Sequence, residues 1–431
     1  MKRSLLVLAA ALAVAACGAD DRQPAAGPPA QPLSTAICSP VSYGGPGRPR
    51  FLIVNSSGYQ GIYKGHGVQT AQAMKMVLAA HGWRAGDYTV GMQACEETSA
   101  RTGQPSPAKC ARNAREFAEN PAVLGVVGPL TSNCAVHMLA TLNSAPDGPL
   151  ATISGGNTYV GLTRSGPGTA PGEPDRYRPT GHPGYARLAP TDDVQGAANA
   201  LFAQRAGRTR AFVVEDGSPY GRGLAAAFHD AAERLGLGVV GTARWSARAR
   251  SYDPIAARIR RSGADAVFVA GDIAANGPKL IADLTSGVGG DVQVMAGDSF
   301  NLPSALAEAP GTRVRGMTIS IAVLPNQQLP PAGRRFAAEF ERRFSQRPCC
   351  FSVHDAQGTE MLLDAIARSD GTRAAVTRNV MTSRIRGGLL GDFEIDANGD
   401  TTQNTIGIYR IADELQFETA ITPAPDLLGR E

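Results

Sequence analysis

The feature that most constrains this chain is a recurring pair: a short apolar run followed by a stretch with helical periodicity. Residues 50–54 (RFLIV), 123–127 (VLGVV) and 266–270 (AVFVA) are continuous rather than alternating runs. That is how a strand buried on both faces reads, as in a parallel sheet covered by helices. After the first run, Ala71, Met74 and Leu78 fall on one helical face, and residues 88–92 supply another strand. Ser106-Pro107 is a helix-start signal, with Cys110, Ala114 and Phe117 on the inward face. A helix is expected from about residue 133 and a strand over 149–153. The alternation pauses at residues 165–184, dense in Gly and Pro and expected as a surface excursion. It resumes with a helix from Thr191-Asp192 to 206, a strand over 211–214 and a helix from Pro219. A strand beginning at Val239-Val240, a helix over 253–261, the AVFVA strand, a helix over 274–284 and a strand over 292–295 complete the block. The tail reads as helix-rich over 332–367 and 373–384, with strands near 393–395 and 407–411.

Two successive βαβα blocks predict an α/β protein of two doubly wound lobes. Each open sheet binds ligands at the carboxyl ends of its strands, so facing lobes would share a cleft there. The expected division is 49–188 with 323–388 for the first lobe and 189–322 with 389–431 for the second. At 431 residues the chain has length for both. A formal net charge of +4, from 42 basic and 38 acidic residues without a dense basic block, argues against nucleic acid as a partner.

Lys2 and Arg3 precede an apolar segment over residues 5–16. As ~18 Å of helix it is too short to cross a ~30 Å hydrocarbon core, and it reads as the core of a signal peptide, residues 1–16. Val14-Ala15-Ala16-Cys17 resembles a bacterial lipobox, which implies lipidation of Cys17 and anchoring at the outer face of the cytoplasmic membrane. The alternative is an ordinary small-residue cleavage site. Residues 17–48, rich in Ala, Pro and Gly, read as the anchor and a flexible tether. Six further cysteines, Cys38, Cys95, Cys110, Cys134, Cys349 and Cys350, favour disulfides in an oxidising compartment. Sequence alone does not pair them, although adjacent Cys349 and Cys350 bridge each other poorly. With no C-x-x-C pair and scattered histidines, neither a metal site nor a cofactor is expected.

Several segments resemble the solute-binding components of branched-chain amino acid ABC transporters, of the type I periplasmic-binding-protein fold. Residues 126–134 (VVGPLTSNC) are similar to that family's strand–turn–helix whose Ser takes the ligand carboxylate. Residues 153–163 (ISGGNTYVGLT) resemble its loop supplying backbone groups and a Thr hydroxyl. Residues 219–223 (PYGRG) resemble the turn opening a second-lobe helix, and Gly271-Asp272 and Ala296-Gly297-Asp298 follow two second-lobe strands. The resemblance spans roughly residues 50–412 and implies ligand contacts from Ser132, Gly156, Asn157 and Thr158 on one lobe. Tyr220, Asp272 and Asp298 would answer from the other, Asp298 taking the α-ammonium. It also implies a Cys110–Cys134 disulfide, a small-molecule ligand (an amino acid or amide-like solute), ABC permease subunits as partners, and a monomeric chain. Asp272 stands where relatives carry an aromatic residue, which argues against leucine, isoleucine or valine.

The same residues admit plainer roles. Ser132 serves equally as an N-cap, Tyr220 as packing, and Asp298 and Asp272 as caps of the turns after them. A ligand sensor for a membrane signalling receptor would need the same cleft. Cys134 and His137, about one helical turn apart, would be the nucleophile and base of a thiol hydrolase; a disulfide at Cys134 would end that reading. Residues 396–400 (DANGD) lack the Glu a calcium loop needs, and a hairpin between 393–395 and 407–411 is expected instead.

Overall fold

The computed structural model describes residues 28–302, 306, 314–349 and 351–430. The expected signal peptide, Cys17 and Cys350 lie outside them. No helix among the described residues is long and apolar enough to cross a membrane.

The first lobe is built from β1 (Phe51–Ser57), α1 (Lys64–Ala80), β2 (Arg84–Ala85), β3 (Tyr88–Glu96), α2 (Pro107–Glu119), β4 (Val123–Val127), α3 (Ser132–Ala135), α4 (Leu139–Asn143), β5 (Ala151–Ser154) and β6 (Tyr185–Arg187). Its strands pair in the order β2-β3-β1-β4-β5-β6, all parallel except the β2–β3 pair. The second lobe begins with α5 (Asp192–Arg205), β7 (Arg210–Glu215), α6 (Pro219–Arg234), β8 (Gly238–Arg244), α7 (Asp253–Ser262), β9 (Ala266–Ala270), α8 (Gly277–Gly287), β10 (Gln293–Ala296) and β11 (Thr318–Ile321). The chain then returns to the first lobe through α9 (Pro331–Phe344), α10 (Ser352–Ala367), α11 (Arg373–Met381) and a ribbon of β12 (Arg384–Gly388) and β13 (Gly391–Glu394). It closes the second sheet with β14 (Ile406–Ile411) and β15 (Leu415–Ile421), in the order β15-β14-β11-β10-β9-β7-β8.

The apolar runs do what their composition dictates: VLGVV and AVFVA are buried along their whole length at the centres of the two sheets. Ile53, Val127 and Ile153 pack with Met74 and Val77 of α1 and Leu362 and Ile366 of α10, while Phe268 stacks on Phe228 of α6 at 4.5 Å. Each such side chain contributes about 1.5–3 kcal/mol on burial. Ser106 caps α2 by accepting from the Lys109 N–H, as its sequence predicts.

Three expectations are corrected, and a fourth, the surface excursion at 165–184, holds with an added detail. Residues 30–48 are no tether: Ala30, Leu33 and Ile37 are buried in a first-lobe core, and Cys38 is bonded to Cys95. The excursion at 165–184 is pinned down, because the Tyr159 and Tyr177 hydroxyls both donate to Glu173, each at 2.6 Å. The expected hairpin does not form. The strand at 391–394 pairs with β12, and β14 pairs with β11 and β15. Leu390, Phe393 and Ile395 accordingly join the first-lobe core, moving the last lobe boundary from 388 to beyond 395.

Candidate functional site

The carboxyl ends of β4 and β5 face those of β9 and β10 across a cavity of about 70 Å³. Its first-lobe wall is Tyr63, His66, residues 130–133, Gly156, Thr158 and Phe351; its second-lobe wall is Tyr220, Asp272, Asp298, Ser299, Asn301 and Leu302. Six of the seven predicted ligand residues are thus together.

The first-lobe half is a pair of loops tied by one hydroxyl. Beyond β4 the backbone turns sharply at Gly128, whose φ is 123° and where a Cβ would lie 2.3 Å from the Ser56 carbonyl oxygen, so only glycine fits. The Glu97 carboxylate accepts from the Leu130 and Thr131 N–H groups, each at 3.2 Å, and from the Ser56 hydroxyl at 3.1 Å. Burial pushes that carboxyl up to about 7, against the pull of those donors. The cap of α3 is Thr131, which accepts from the Cys134 N–H at 3.2 Å, and not Ser132 as one reading had it. Ser132 instead accepts from the Thr158 and Tyr159 N–H groups, each at 3.2 Å. Its own hydroxyl hydrogen is left to donate. At Gly156 a Cβ would come within 2.9 Å of the Phe351 ring, so glycine lets that ring form the wall.

Asn157 is the one predicted ligand residue the structure removes from the site. It is fully buried, with Nδ2 donating to the Pro129 and Leu130 carbonyls at 2.9 and 3.0 Å and Oδ1 accepting from the Tyr185 hydroxyl at 3.0 Å. Its backbone N–H is taken by Ser154. It braces the loop from behind.

On the second lobe, Ser218 caps α6 by accepting from the Gly221 N–H at 3.0 Å, which sets Tyr220 at the helix start. The Tyr220 hydroxyl donates to Asp298 Oδ1 at 2.6 Å. Asp272 Oδ1 accepts from the Ala274 N–H at 2.8 Å, the turn cap its sequence allowed, and also from the Tyr63 hydroxyl at 2.5 Å. Tyr63 belongs to the other lobe, so that bond spans the cleft. Tyr220 N–H donating to Asn133 Oδ1 at 3.4 Å and Gln104 donating to the Ala274 carbonyl at 3.1 Å also span it. The lobes are closed on each other.

Burial raises the carboxyls of Asp272 and Asp298 to about 6, with the Tyr63 and Tyr220 hydroxyls pulling the other way. Burial lowers His66 to about 4, leaving a neutral imidazole whose buried Nε2 has no hydrogen-bond partner among the described residues. Among the described residues no Lys or Arg lines the cavity. Tyr63, His66, Asn133 and Phe351 escaped the sequence reading. The signal for the first two was available, because Tyr63 and His66, just before and within the first turn of α1, follow the carboxyl end of the apolar strand β1.

Cys110 is bonded to Cys134, as the resemblance implied, so Cys134 is no thiol nucleophile for His137.

Two α/β lobes joined by crossovers and closed over a cavity with polar and aromatic walls define a two-lobed solute-binding protein. The family profile of the periplasmic binding proteins matches residues 97–415, and the chain belongs to that family. No curated protein matches it by sequence. Among solved structures, a leucine-binding protein from Thermotoga maritima is similar at 19% identity and a TM-score of 0.73, covering 86% of this chain and 99% of its own. A branched-chain amino acid transporter substrate-binding protein from Streptococcus pneumoniae, in complex with isoleucine, has 17% identity and a TM-score of 0.70, covering 86% and 98%. An ABC transporter solute-binding protein from R. palustris, in complex with benzoate, has 14% identity and a TM-score of 0.70, covering 87% and 97%. At these identities the likeness speaks for the fold.

Proposed function

We propose that the protein is an extracytoplasmic receptor that captures a small amino acid or amide-like solute by hinge closure and hands it to the permease of an ABC importer. The carrying observation is polarity. The Ser132 hydroxyl and Thr158 face the acidic Asp298 across one cavity. A carboxylate suits the first wall, whose hydroxyls can donate to it. An ammonium suits the second, because a buried carboxylate needs a cationic or hydrogen-bonded partner. In this reading Cys17 carries the lipid anchor and the receptor acts as a monomer. Ligand complexes of similarly folded ABC receptors with isoleucine and benzoate support the carboxylate end.

The test is Asp298→Ala, titrated calorimetrically with an amino-acid ligand found by thermal-shift screening. Removing one partner of a buried charge pair should weaken binding about a hundredfold or more, with the unfolding transition retained. Unchanged affinity would show that no ammonium sits at Asp298.

A further inference from the structure

We propose that the solute bears a second amine, making it a short diamino acid: Asp298 takes the α-ammonium and Asp272 the ammonium at the far end of the side chain. This deepens the receptor reading and rests on it.

Asp272 and Asp298 both line the second-lobe wall, and among the described residues that line the cavity none is Lys or Arg. The groups that hydrogen-bond to them are neutral donors: the Tyr63 hydroxyl and Ala274 N–H for Asp272, and the Tyr220 hydroxyl for Asp298, with the Asn133 side chain also drawing on Asp272 and the Gln195 side chain and Ser299 N–H on Asp298. Their close ionisable neighbours are more acids. Asp216 accepts the Asp272 backbone N–H at 2.8 Å. Asp192 is fully buried, with neither carboxylate oxygen hydrogen-bonded within 3.5 Å among the described residues; burial and then the Asp298 charge hold its carboxyl above the usual range, against the pull of Thr158 and Arg187. One ammonium compensates only one of the two lining carboxylates. The other would be enclosed against hydrocarbon if the side chain were that of leucine, and both would face a hydrocarbon ring if the ligand were benzoate. Either arrangement leaves a desolvated carboxylate without a counter-charge.

The opposite wall gives the orientation. It offers the Ser132 hydroxyl, Thr158 and the neutral Nε2 of His66, unpartnered among the described residues; no described side chain lining it is charged, the Glu97 carboxyl lying behind the loop, so the ligand's single anionic group belongs there. The carboxylate at the first lobe and two ammonium groups at the second describe one molecule with its charges at opposite ends. The cavity, about 70 Å³, holds a handful of water-sized groups and favours a chain of few methylenes over a lysine-length one.

The probes are 2,4-diaminobutyrate against its monoamino analogue 2-aminobutyrate, with leucine and benzoate alongside, in calorimetry on protein freed of carried-over ligand by unfolding and refolding. The diamino acid should bind about thirtyfold or more tighter than 2-aminobutyrate, the range of one charge-assisted hydrogen-bonded contact. Asp272→Asn keeps the shape and the bond from Tyr63, and should collapse that preference toward unity. If 2-aminobutyrate or leucine binds as tightly as the diamino acid, or if Asp272→Asn keeps the preference, the second-amine assignment is wrong and the amino-acid receptor stands. If no amino acid binds while other solutes do, the amino-acid reading fails with it. The wild-type comparison decides the matter even if the variant does not fold.

Discussion

Replacing Asp400 by Asn tests how the two lobes are held in register. Asp400 lies in a turn between β13 and β14, where the chain crosses from one lobe to the other. Asp396 Oδ1 shapes that turn by accepting from the N–H groups of Asn398 and Asp400 at 2.8 and 2.9 Å. Asp400 accepts from Arg187 Nε at 2.7 Å and from Arg164 Nε at 2.8 Å. Arg187 is wholly buried at the end of β6, and donates further to the Tyr159 carbonyl at 2.7 Å. Arg164 reaches on to Asp193 in the first turn of α5 at 3.2 Å. One carboxylate therefore anchors two guanidiniums beside two of the crossovers.

Burial alone would raise the Asp400 carboxyl; Arg187 and Arg164 outweigh it and bring it from 3.8 to about 2. A difference of nearly two pH units corresponds to roughly 2.5 kcal/mol at neutral pH. Stripping one partner from a buried ion pair costs about 3–5 kcal/mol. The two routes bracket an expected loss of about 2–5 kcal/mol for Asp400→Asn. The folded-state pKa is depressed, so this stability is fully present above the unfolded value near 4 and is lost as pH falls through 4 toward 2. Urea unfolding followed by circular dichroism at pH 7, 4 and 3 should show the gap between wild type and variant closing as the solution is acidified. A loss under about 1 kcal/mol at pH 7, or a gap indifferent to pH, would refute the network's role.

Two further outcomes follow from the same contacts. Tyr63→Phe removes the hydroxyl that crosses the cleft to Asp272. A hydrogen bond to a charged group is worth about 1.5–3 kcal/mol, so the ligand-free variant should shift toward an open form with a larger radius of gyration in small-angle scattering. An unchanged radius would deny that bond a latching role. Replacing both Cys110 and Cys134 by Ala opens a link spanning 24 residues and should cost about 2–4 kcal/mol in the same unfolding assay; no loss would show the bridge to be energetically idle.

What was legible in the sequence was whatever depends on local pattern. Strands buried on both faces announce themselves by unbroken apolar runs, and Ser132, Gly156, Thr158, Tyr220, Asp272 and Asp298 came from the family resemblance of the short motifs that follow such runs. Short strands with polar inward residues stayed hidden. In β11, Ser320 is buried and accepts from Gln195 and Asn199 at 3.1 and 2.8 Å, which breaks the apolar pattern that would have revealed it. Asn157 shows the limit within a loop: which of two neighbours faces the cavity is set by where the Pro129 and Leu130 carbonyls lie, a tertiary fact. The same limit explains the reading of residues 396–400 as a simple turn, since Asp400 finds its partner Arg187 across 213 residues. It also explains the loss of Tyr63, 209 residues from the Asp272 it bonds. A side chain recruited from the opposite lobe leaves no spacing to read, yet Tyr63 is what makes Asp272 part of a closed cavity. The second-lobe acids are local and legible; that no described cation faces them emerges only when both walls of the cleft are assembled, and that is why the charge of the solute is a question for the structure.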